Sequence, residues 1–304
     1  MIVDRLEDWA RAGMPTTPER LEWARAYVRE EAEAAMLGNY APSVDREERP
    51  DITLSSHFYC PRQLWLKRDG KADEDVAPRT YNTWFTGRVV EASVVCRMIL
   101  AGLPMLTPAW GGTRQRRTAL DLGGGALRGS IDLLLAADLM GYPPASREEL
   151  AAYKGPVILG DVKSMSDYGF DEAVRDRSVG NTFGYEDQLN NYRLGLEAEG
   201  LRVEAAVFVI HKKSTGHEAE ILCPERTDQV TAMRVAYGKA TGAQLPDRPE
   251  WATVKVVKSP KDGTVEQIEN VRCGYCPCRA ACWPGFEQSI VSGRPVYRRP
   301  LEAK

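Results

Sequence analysis

Four of the chain's seven cysteines lie within ten positions near its end, in the segment CGYCPCRAACWP (273–284). Thiols spaced this closely either form disulfides or bind metals. The first residues, MIVDRLEDWARAG, show no export signal, so we expect a cytoplasmic protein with reduced thiols. The C-x2-C-x5-C spacing of Cys273, Cys276 and Cys282 therefore predicts iron or zinc ligands. Cys278, between them, is then a spare thiol or an alternative to Cys276.

Acidic residues and a lysine occur in two predicted strands and a helix. In PVILGDVKS, Asp161 and Lys163 lie two positions apart, so both face the same side of a strand. Asp132 interrupts the apolar run of LRGSIDLLLA, and Glu91 lies in the largely apolar helix TGRVVEASVV. We expect the three carboxylates to face one cleft. Oxygen ligands suit Mg²⁺ or Mn²⁺, and a lysine that positions or deprotonates water suits phosphodiester hydrolysis.

Each of these residues also has a purely structural alternative. Asp161 and Lys163 fit a solvated strand end, since Asp-x-Lys occurs by chance in many proteins. Asp132, after Gly-Ser, fits a turn. Glu91 fits a salt bridge on an exposed edge of its helix. The order in which the residues follow one another along the chain favours the catalytic interpretation.

A predicted helix, EDQLNNYRL, follows the second acidic strand. Gln188 and Tyr192 lie four positions apart and hence on one helix face. From that face they can reach a substrate phosphate at the edge of the sheet. The structural alternative is a polar helix surface with a half-buried tyrosine.

The composition allows a scaffold that holds these side chains. The chain has 304 residues, 43% hydrophobic and 27% charged, enough for one large domain or two ordinary ones. We find no approach to the ~18 uninterrupted apolar residues that a membrane span needs, and expect no membrane partner. The net charge of -3 disfavours a uniformly basic surface but allows local basic patches.

Hydrophobic periodicity predicts a helical extension over residues 1–50. The stretch RLEWARAYVREEAEAAML places Leu21, Ala24, Tyr27 and Val28 on one helix face. A connector rich in Pro and charge, APSVDREERPD, follows it. We therefore interpret the first 50 residues as an appended region.

The middle of the chain predicts an α/β domain around a central sheet. Residues 84–212 read as helix, three strands, helix and strand, with the three strands near 104–122, 126–136 and 156–163. A helix near 225–241 follows. The stretch ATVKVVKSPKDGTVEQIE then predicts a hairpin with an Asp-Gly turn.

Four motifs in chain order resemble the PD-(D/E)XK nucleases of the RecB-like branch. They are G-x-x-x-E at Gly87 to Glu91, G-x-x-D at Gly129 to Asp132, D-x-K at Asp161 to Lys163 and Q-x-x-x-Y at Gln188 to Tyr192. The resemblance implies a restriction-endonuclease-like core with a mixed sheet. It also implies the catalytic residues Asp132, Asp161, Lys163, Gln188 and Tyr192, and the Mg²⁺ or Mn²⁺ ligands Glu91, Asp132 and Asp161. Many of the CRISPR-associated Cas-four proteins, which belong to this branch, carry histidine where this chain has Glu91.

The cysteines extend the resemblance to the iron-sulfur nucleases: the CRISPR-associated Cas-four exonucleases, AddB-type nuclease domains and phage-borne relatives. Cys60, in FYCPRQLWLKRDG, precedes the core and the other three thiols follow it. The resemblance covers residues 52–285 and implies a [4Fe-4S] cluster held by Cys60, Cys273, Cys276 and Cys282. A four-thiolate Zn²⁺ site suits the same ligands, and thiols without a metal are the third alternative. Cys96 and Cys223 are interpreted as core or surface thiols.

Ligands on both sides of the core would tie the ends of one domain together. The expected organisation is a helical extension over residues 1–50, a nuclease domain closed by the cysteines over residues 51–287, and a C-terminal tail over residues 288–304.

The function implied is a metal-dependent exonuclease acting on single-stranded DNA or DNA ends in recombination, repair or CRISPR adaptation. The chain has no G-x-x-x-x-G-K-[ST] loop, so unwinding would need a helicase, with a recombinase or CRISPR adaptation proteins as other partners. The alternatives are a structure-dependent endonuclease and a non-catalytic iron-sulfur or zinc subunit that binds DNA or assists assembly.

Basic and aromatic residues near the predicted site are candidates for DNA contacts. Basic side chains follow phosphates, and aromatic rings stack on the bases of a single strand. The alternatives are an ordinary charged surface and packing of a loop against the sheet. The candidates are Arg114, Arg116, Arg117, Tyr168, Phe170, Arg175 and Arg177.

Overall fold

The computed structural model describes residues 2–40, 52–56, 60–72, 78–109, 115–123, 126–140, 144–180, 184–259, 263–274, 276–291 and 294–301. The chain forms two compact units. Unit 1 comprises Met1–Ser55, Pro78–Asn181 and Tyr185–Val230. Unit 2 comprises Ser56–Ala77, Thr182–Gly184 and Thr231–Lys304. The predicted domain boundaries at residues 50 and 287 do not coincide with these units.

The helices and strands described here follow one another in this order: α1 (Ile2–Arg11), α2 (Pro18–Tyr40), α3 (Pro61–Arg68), α4 (Pro78–Leu100), β1 (Met105–Thr107), β2 (Arg116–Asp121), β3 (Ala126–Ile131), β4 (Leu133–Ala136), α5 (Arg147–Ala152), β5 (Val157–Met165), α6 (Asp167–Asp176), α7 (Tyr185–Ala198), β6 (Val203–Lys212), β7 (Glu218–Leu222), α8 (Gln229–Thr241), β8 (Val254–Ser259), β9 (Gly263–Ile268), α9 (Val271–Gly274), α10 (Arg279–Cys282), β10 (Glu287–Val291) and β11 (Arg294–Pro300). Proline is the first residue of α2, α3 and α4, a position where its missing N–H has no intrahelical partner to lose. None of the helices in the described part of the chain has an apolar stretch long enough to cross a lipid bilayer.

A mixed five-stranded sheet forms the centre of unit 1. Its order is β1-β4-β5-β6-β7, with β5 and β6 parallel and the other pairs antiparallel. The parallel pair needs a crossover connection, which α6 and α7 provide. The first six residues of β5 are all buried, as expected for a strand covered on both faces. The mixed α/β class predicted from the sequence is therefore confirmed.

The helices α1 and α2 share one apolar cluster with α4 and the sheet. Trp23 and Tyr27 of α2 are buried in the same cluster as Leu133 of β4. Residues 1–50 are therefore not simply appended, because the described helices among them belong to the core of unit 1. The predicted buried face is wrong at Val28, whose exposed fraction is 40%, and Trp23 takes part in its place.

The strand predicted over 126–136 is divided at Asp132. β3 pairs with β2 in a separate two-stranded sheet, whereas β4 joins the five-stranded sheet between β1 and β5. Asp132 itself lies at a bend and belongs to neither ladder. Likewise, the extended stretch expected over 104–122 contains β1 and β2, and residues 110–114 lie outside the described residues.

Unit 2 contains a four-stranded antiparallel sheet in the order β10-β11-β9-β8. The predicted hairpin is present as β8 and β9. The region expected to be a tail, residues 288–304, instead supplies most of β10 and all of β11, which pairs with β9. α3 is fixed within the unit by Trp65 Nε1, which donates to the carbonyl oxygen of Gly242 over 3.0 Å.

Candidate functional site

Asp161 and Lys163 lie on β5, the central strand of the unit 1 sheet. Asp161 is buried, with 2% of its surface exposed. Lys163 Nζ lies 2.9 Å from Asp161 Oδ1 and 2.6 Å from Oδ2. Both side chains therefore point to the same side of the strand, as their spacing predicts. The alternative of a solvated strand end is wrong, because Asp161 is buried.

The ammonium group of Lys163 also faces an aromatic ring. Its Nζ is 4.8 Å from the ring centroid of Tyr185, the first residue of α7. Burial lowers the pKa of Lys163, but the carboxylates of Asp161 and Asp132 outweigh this effect and the pKa is raised. The neighbouring carboxylates therefore favour the protonated form of Lys163.

Asp132 and Glu91 approach the same place from other elements. Asp132 lies at the bend between β3 and β4, and Glu91 lies on α4. Gln115 connects them, because its Nε2 donates to Asp132 Oδ1 over 2.7 Å and to Glu91 Oε1 over 3.2 Å. Asp132 does lie at a bend, as the turn alternative expects, but its side chain faces the other acids, and Glu91 is not on an exposed helix edge. Gln115 itself carries no recognisable sequence motif.

The pKa values of Glu91 and Asp132 are raised by burial and by the neighbouring acids. Burial, followed by the charges of Asp161 and Glu31, raises the pKa of Glu91 to about 7. Burial and the charges of Glu91 and Asp161 raise the pKa of Asp132 well above its ordinary value, and a side-chain hydrogen bond with Asp161 raises it further. The three carboxylates thus form one electrostatic group near the ammonium group of Lys163.

Asp161 Oδ2 is a buried oxygen without a hydrogen bond. It lies close to Lys163 Nζ, but this short distance lacks hydrogen-bond geometry. No group of three or more His, Cys, Asp or Glu side chains that could hold a metal ion is found among the residues listed above as described. As the site stands, Gln115 and Lys163 hold the carboxylates.

Gln188 and Tyr192 lie on α7 at one helix face, as predicted. Gln188 Nε2 donates to Tyr192 Oη over 3.1 Å. Tyr192 is buried, with an exposed fraction of 4%, and this burial raises its pKa to about 12. Tyr192 is therefore a packed tyrosine beside the acids, while Gln188 is partly exposed and remains the better candidate for substrate contact.

Buried amides fix α7 to the rest of unit 1. Asn191 Nδ2 donates to the carbonyl oxygen of Leu54 over 2.7 Å, and Leu54 N donates to Arg128 of β3. Gln229 Nε2 donates to Asn191 Oδ1 over 2.7 Å. Leaving such groups unpaired when buried costs about 1–3 kcal/mol each. Sequence reasoning missed this network, although two adjacent asparagines within a helix are an available signal.

A second candidate site lies entirely in unit 2. Cys60, Cys273, Cys276 and Cys282 line one pocket, and none of the seven cysteines, all within the described ranges, forms a disulfide. Cys60 precedes α3 with a non-helical backbone (φ -129°, ψ 82°), as Pro61 predicts. Because Cys60 and the other three thiols belong to the same unit, a centre here would join the two main segments of unit 2, not the ends of the unit 1 sheet.

The surroundings of these thiols are apolar and cationic. Burial raises the pKa of Cys60 to about 12 and that of Cys273 to about 11. Arg248 donates to the carbonyl oxygen of Cys282 and stacks 4.0 Å from the Trp283 ring centroid. The cavity enclosed by the lining side chains is about 20 Å³, roughly the space of one water molecule.

The other three cysteines lie outside this pocket. Cys278 is fully buried, and its Sγ contacts the carbonyl oxygen of Gln63 at 3.6 Å. Cys223 is buried beside Asn190, whose Nδ2 lies 3.5 Å from its Sγ. Cys96 is half-buried on α4. The four predicted ligands therefore line this pocket, whereas Cys278, Cys223 and Cys96 do not.

Two of the arginines predicted to contact DNA form ion pairs with acidic residues. Arg116 pairs with Glu199, and Arg175 pairs with Glu172 and Asp176. A DNA phosphate would have to displace these acidic partners to bind either arginine.

The aromatic candidates differ from each other. Phe170 is buried under Lys212, as the packing alternative states, whereas Tyr168 has an exposed fraction of 74%. Both lie on α6, where a loop was expected. Arg117 and Arg177 are exposed, and Arg114 lies outside the described residues.

Comparisons with known proteins add little. No protein-family model matches the chain, and no curated protein matches it. A solved structure titled "Crystal structure of SSO0001" is similar with a TM-score of 0.45 and 13% sequence identity, covering 85% of this chain and 95% of that chain. A likeness of this size supports no conclusion about the site.

Proposed function

We propose that this chain is a metal-dependent deoxyribonuclease with a PD-(D/E)XK core that degrades single-stranded DNA from its ends. One observation carries the proposal: the acids of three motifs, Glu91, Asp132 and Asp161, gather around Lys163 in unit 1. Such a group of carboxylates with one lysine suits hydrolysis of a phosphodiester. The choice of DNA and of free ends rests on the sequence resemblance.

The residues present fit a divalent cation. Burial and the neighbouring acids raise the pKa values of Glu91 and Asp132, and Asp161 has a buried oxygen without a hydrogen bond. Hard cations such as Mg²⁺ or Mn²⁺ take oxygen ligands of this kind and relieve that repulsion. Glu91, Asp132 and Asp161 would hold the ion. When bound, it would supply Lewis-acid activation of water and of the phosphate.

Lys163 supplies a second positive charge that needs no metal. Asp161 fixes the direction of its ammonium group, and the ring of Tyr185 limits its movement. A lysine kept protonated in this way binds a non-bridging phosphate oxygen and stabilises the negative charge that develops during cleavage. We assign positioning and electrostatic stabilisation to Lys163, rather than proton abstraction.

Two alternatives remain distinct from this proposal. An endonuclease would use the same acids and lysine but would not need a free end. A non-catalytic DNA-binding or assembly subunit has no use for a lysine beside three clustered acids, because removing such charges from water is costly. A helicase, a recombinase or CRISPR adaptation proteins are the proposed partners.

For the thiol pocket we propose a metal centre with a structural role. The sequence resemblance favours a [4Fe-4S] cluster, and a four-thiolate Zn²⁺ site would use the same ligands. Buried thiols with raised pKa values are protonated at neutral pH, so either centre would displace protons as it binds. The four cysteines already share one pocket, which supports a common centre.

End-labelled single strands test the proposal. The purified protein is incubated with linear and circular strands of unrelated sequence, in Mg²⁺, Mn²⁺ or chelator. We expect linear strands to be shortened in either metal and circular strands to persist. Equal cutting of circular strands would replace the exonuclease by an endonuclease. DNA binding without cleavage in any metal would favour the non-catalytic subunit.

A further inference from the structure

Gln115 lies outside every motif noticed in the sequence, yet it contacts two of the proposed metal ligands. It immediately precedes β2 and is half-buried. Its single Nε2 group donates one hydrogen bond to Asp132, over 2.7 Å, and another to Glu91, over 3.2 Å. A side-chain amide nitrogen carries two hydrogens, so both are used on carboxylates.

These contacts set the separation and direction of the two acids. Glu91 and Asp132 repel each other and belong to different elements, α4 and the bend after β3. The amide contacts one oxygen of each and so brings both carboxylates to a common donor. Hydrogen bonds of this kind orient metal ligands, and their loss typically reduces metal affinity or activity by about 10- to 100-fold.

We propose that Gln115 is a positioning residue that orients Glu91 and Asp132 for a shared divalent cation. The inference rests on the proposed function, since it takes these two acids as ligands of that ion. Gln115 thereby sets the affinity for the metal. Once the site is saturated with metal, the acids and Lys163 determine the rate of cleavage.

Mn²⁺ binding to the full chain tests this inference without relying on activity. Free Mn²⁺ is followed by EPR as it is titrated into wild-type protein and into the Gln115→Leu variant, which keeps the side-chain volume but loses the amide. We expect Gln115→Leu to bind Mn²⁺ about 10- to 100-fold more weakly. Gln115→Asn, which keeps a shorter amide, should lie between. Gln267→Ala, which changes a glutamine of β9 in unit 2, should bind as the wild type does.

Cleavage assays and thermal melting complete the test. At saturating Mn²⁺, Gln115→Leu should regain most of the wild-type rate. Its melting temperature in chelator should fall, because two carboxylates lose a hydrogen-bond donor, but the variant should remain folded at the assay temperature. Unchanged Mn²⁺ affinity in Gln115→Leu and Gln115→Asn would overturn the inference. Tighter binding would also overturn it and would show that the amide competes with the ion. A wild-type protein that binds no Mn²⁺ would instead refute the metal site of the proposed function.

Discussion

Gly129 lies against the ring of Tyr192 so closely that a Cβ added to the glycine would be 2.5 Å from Cε1 of the tyrosine. The same Cβ would be 2.9 Å from Cβ of Leu54. The glycine of the G-x-x-D motif is therefore required where α7 packs on β3. Gly87, the glycine of the G-x-x-x-E motif, has only Ser164 Oγ nearby, at 3.9 Å, so packing does not require it.

This difference predicts opposite outcomes for two matched substitutions. Gly129→Ala should lower the free energy of unfolding by about 1–3 kcal/mol, because Tyr192 and Leu54 must move. It should also slow cleavage, since Tyr192 lies beside the acids. Gly87→Ala, within α4, should be neutral or stabilising by up to about 1 kcal/mol. Urea unfolding of both variants measures this, and equal effects would contradict the packing argument.

A second prediction concerns Glu199 and pH. Glu199 accepts hydrogen bonds from Thr118 Oγ1 over 2.7 Å and from Arg116 over 2.9 Å. Burial raises the pKa of Glu199, but these hydrogen bonds outweigh burial and the pKa lies below its ordinary value. A lowered pKa means that the ionised form stabilises the folded state. This stabilisation is present above pH of about 4.5 and is lost as the pH falls further.

Glu199→Gln should therefore be less stable than the wild type at pH 7, by about 0.5–1 kcal/mol. The gap should narrow as the pH is lowered toward 4 and below. Urea unfolding midpoints of the two proteins at pH 7 and pH 4 provide the measurement. A gap that widens in acid would mean that the carboxylate does not stabilise the folded state.

The sequence predicted those parts of unit 1 that depend on local patterns. The two-residue period of a strand placed Asp161 beside Lys163, and the i, i+4 spacing of a helix placed Gln188 beside Tyr192, as observed. Gln115 has no such signal, because its partners lie 17 and 24 positions away and only tertiary packing brings them together. Long-range polar contacts of single residues cannot be derived from periodicity.

Other differences have local causes. The start of α6 could have been predicted from the sequence, because Ser166 caps the helix by accepting a hydrogen bond from Gly169 N. The strands β10 and β11 are short and rich in polar residues, and the pairing of β10 with β11 and of β11 with β9 is not encoded locally. The division of the chain into two units likewise depends on which distant segments pack together, which explains why the boundaries at residues 50 and 287 differ from it.

The thiol pocket predicts separate roles for the seven cysteines. Protein purified without oxygen should be brown and contain about four irons per chain if the centre is a [4Fe-4S] cluster. Changing any lining cysteine to alanine should release the metal and destabilise unit 2; these residues are Cys60, Cys273, Cys276 and Cys282. Metal analysis and thermal melting measure both effects.

The remaining thiols are the matched controls. Cys96→Ala, Cys223→Ala and Cys278→Ala should retain the metal, although Cys278→Ala, which leaves a buried gap beside Gln63, should melt earlier than the other two. Colourless protein with one zinc per chain would exclude the cluster but keep a metal centre. Metal retained by Cys60→Ala and lost from Cys278→Ala would contradict the ligand set.

Cleavage by variants of the buried pair tests the central claim most directly. Asp161→Ala and Lys163→Ala are compared with wild-type protein on end-labelled linear single-stranded DNA in Mn²⁺, with DNA affinity and circular dichroism recorded for each. We predict that both variants remain folded and bind DNA with nearly wild-type affinity, but cleave at least about 100-fold more slowly. Cleavage at the wild-type rate by either folded variant would contradict the assignment of Asp161 and Lys163 to the active site.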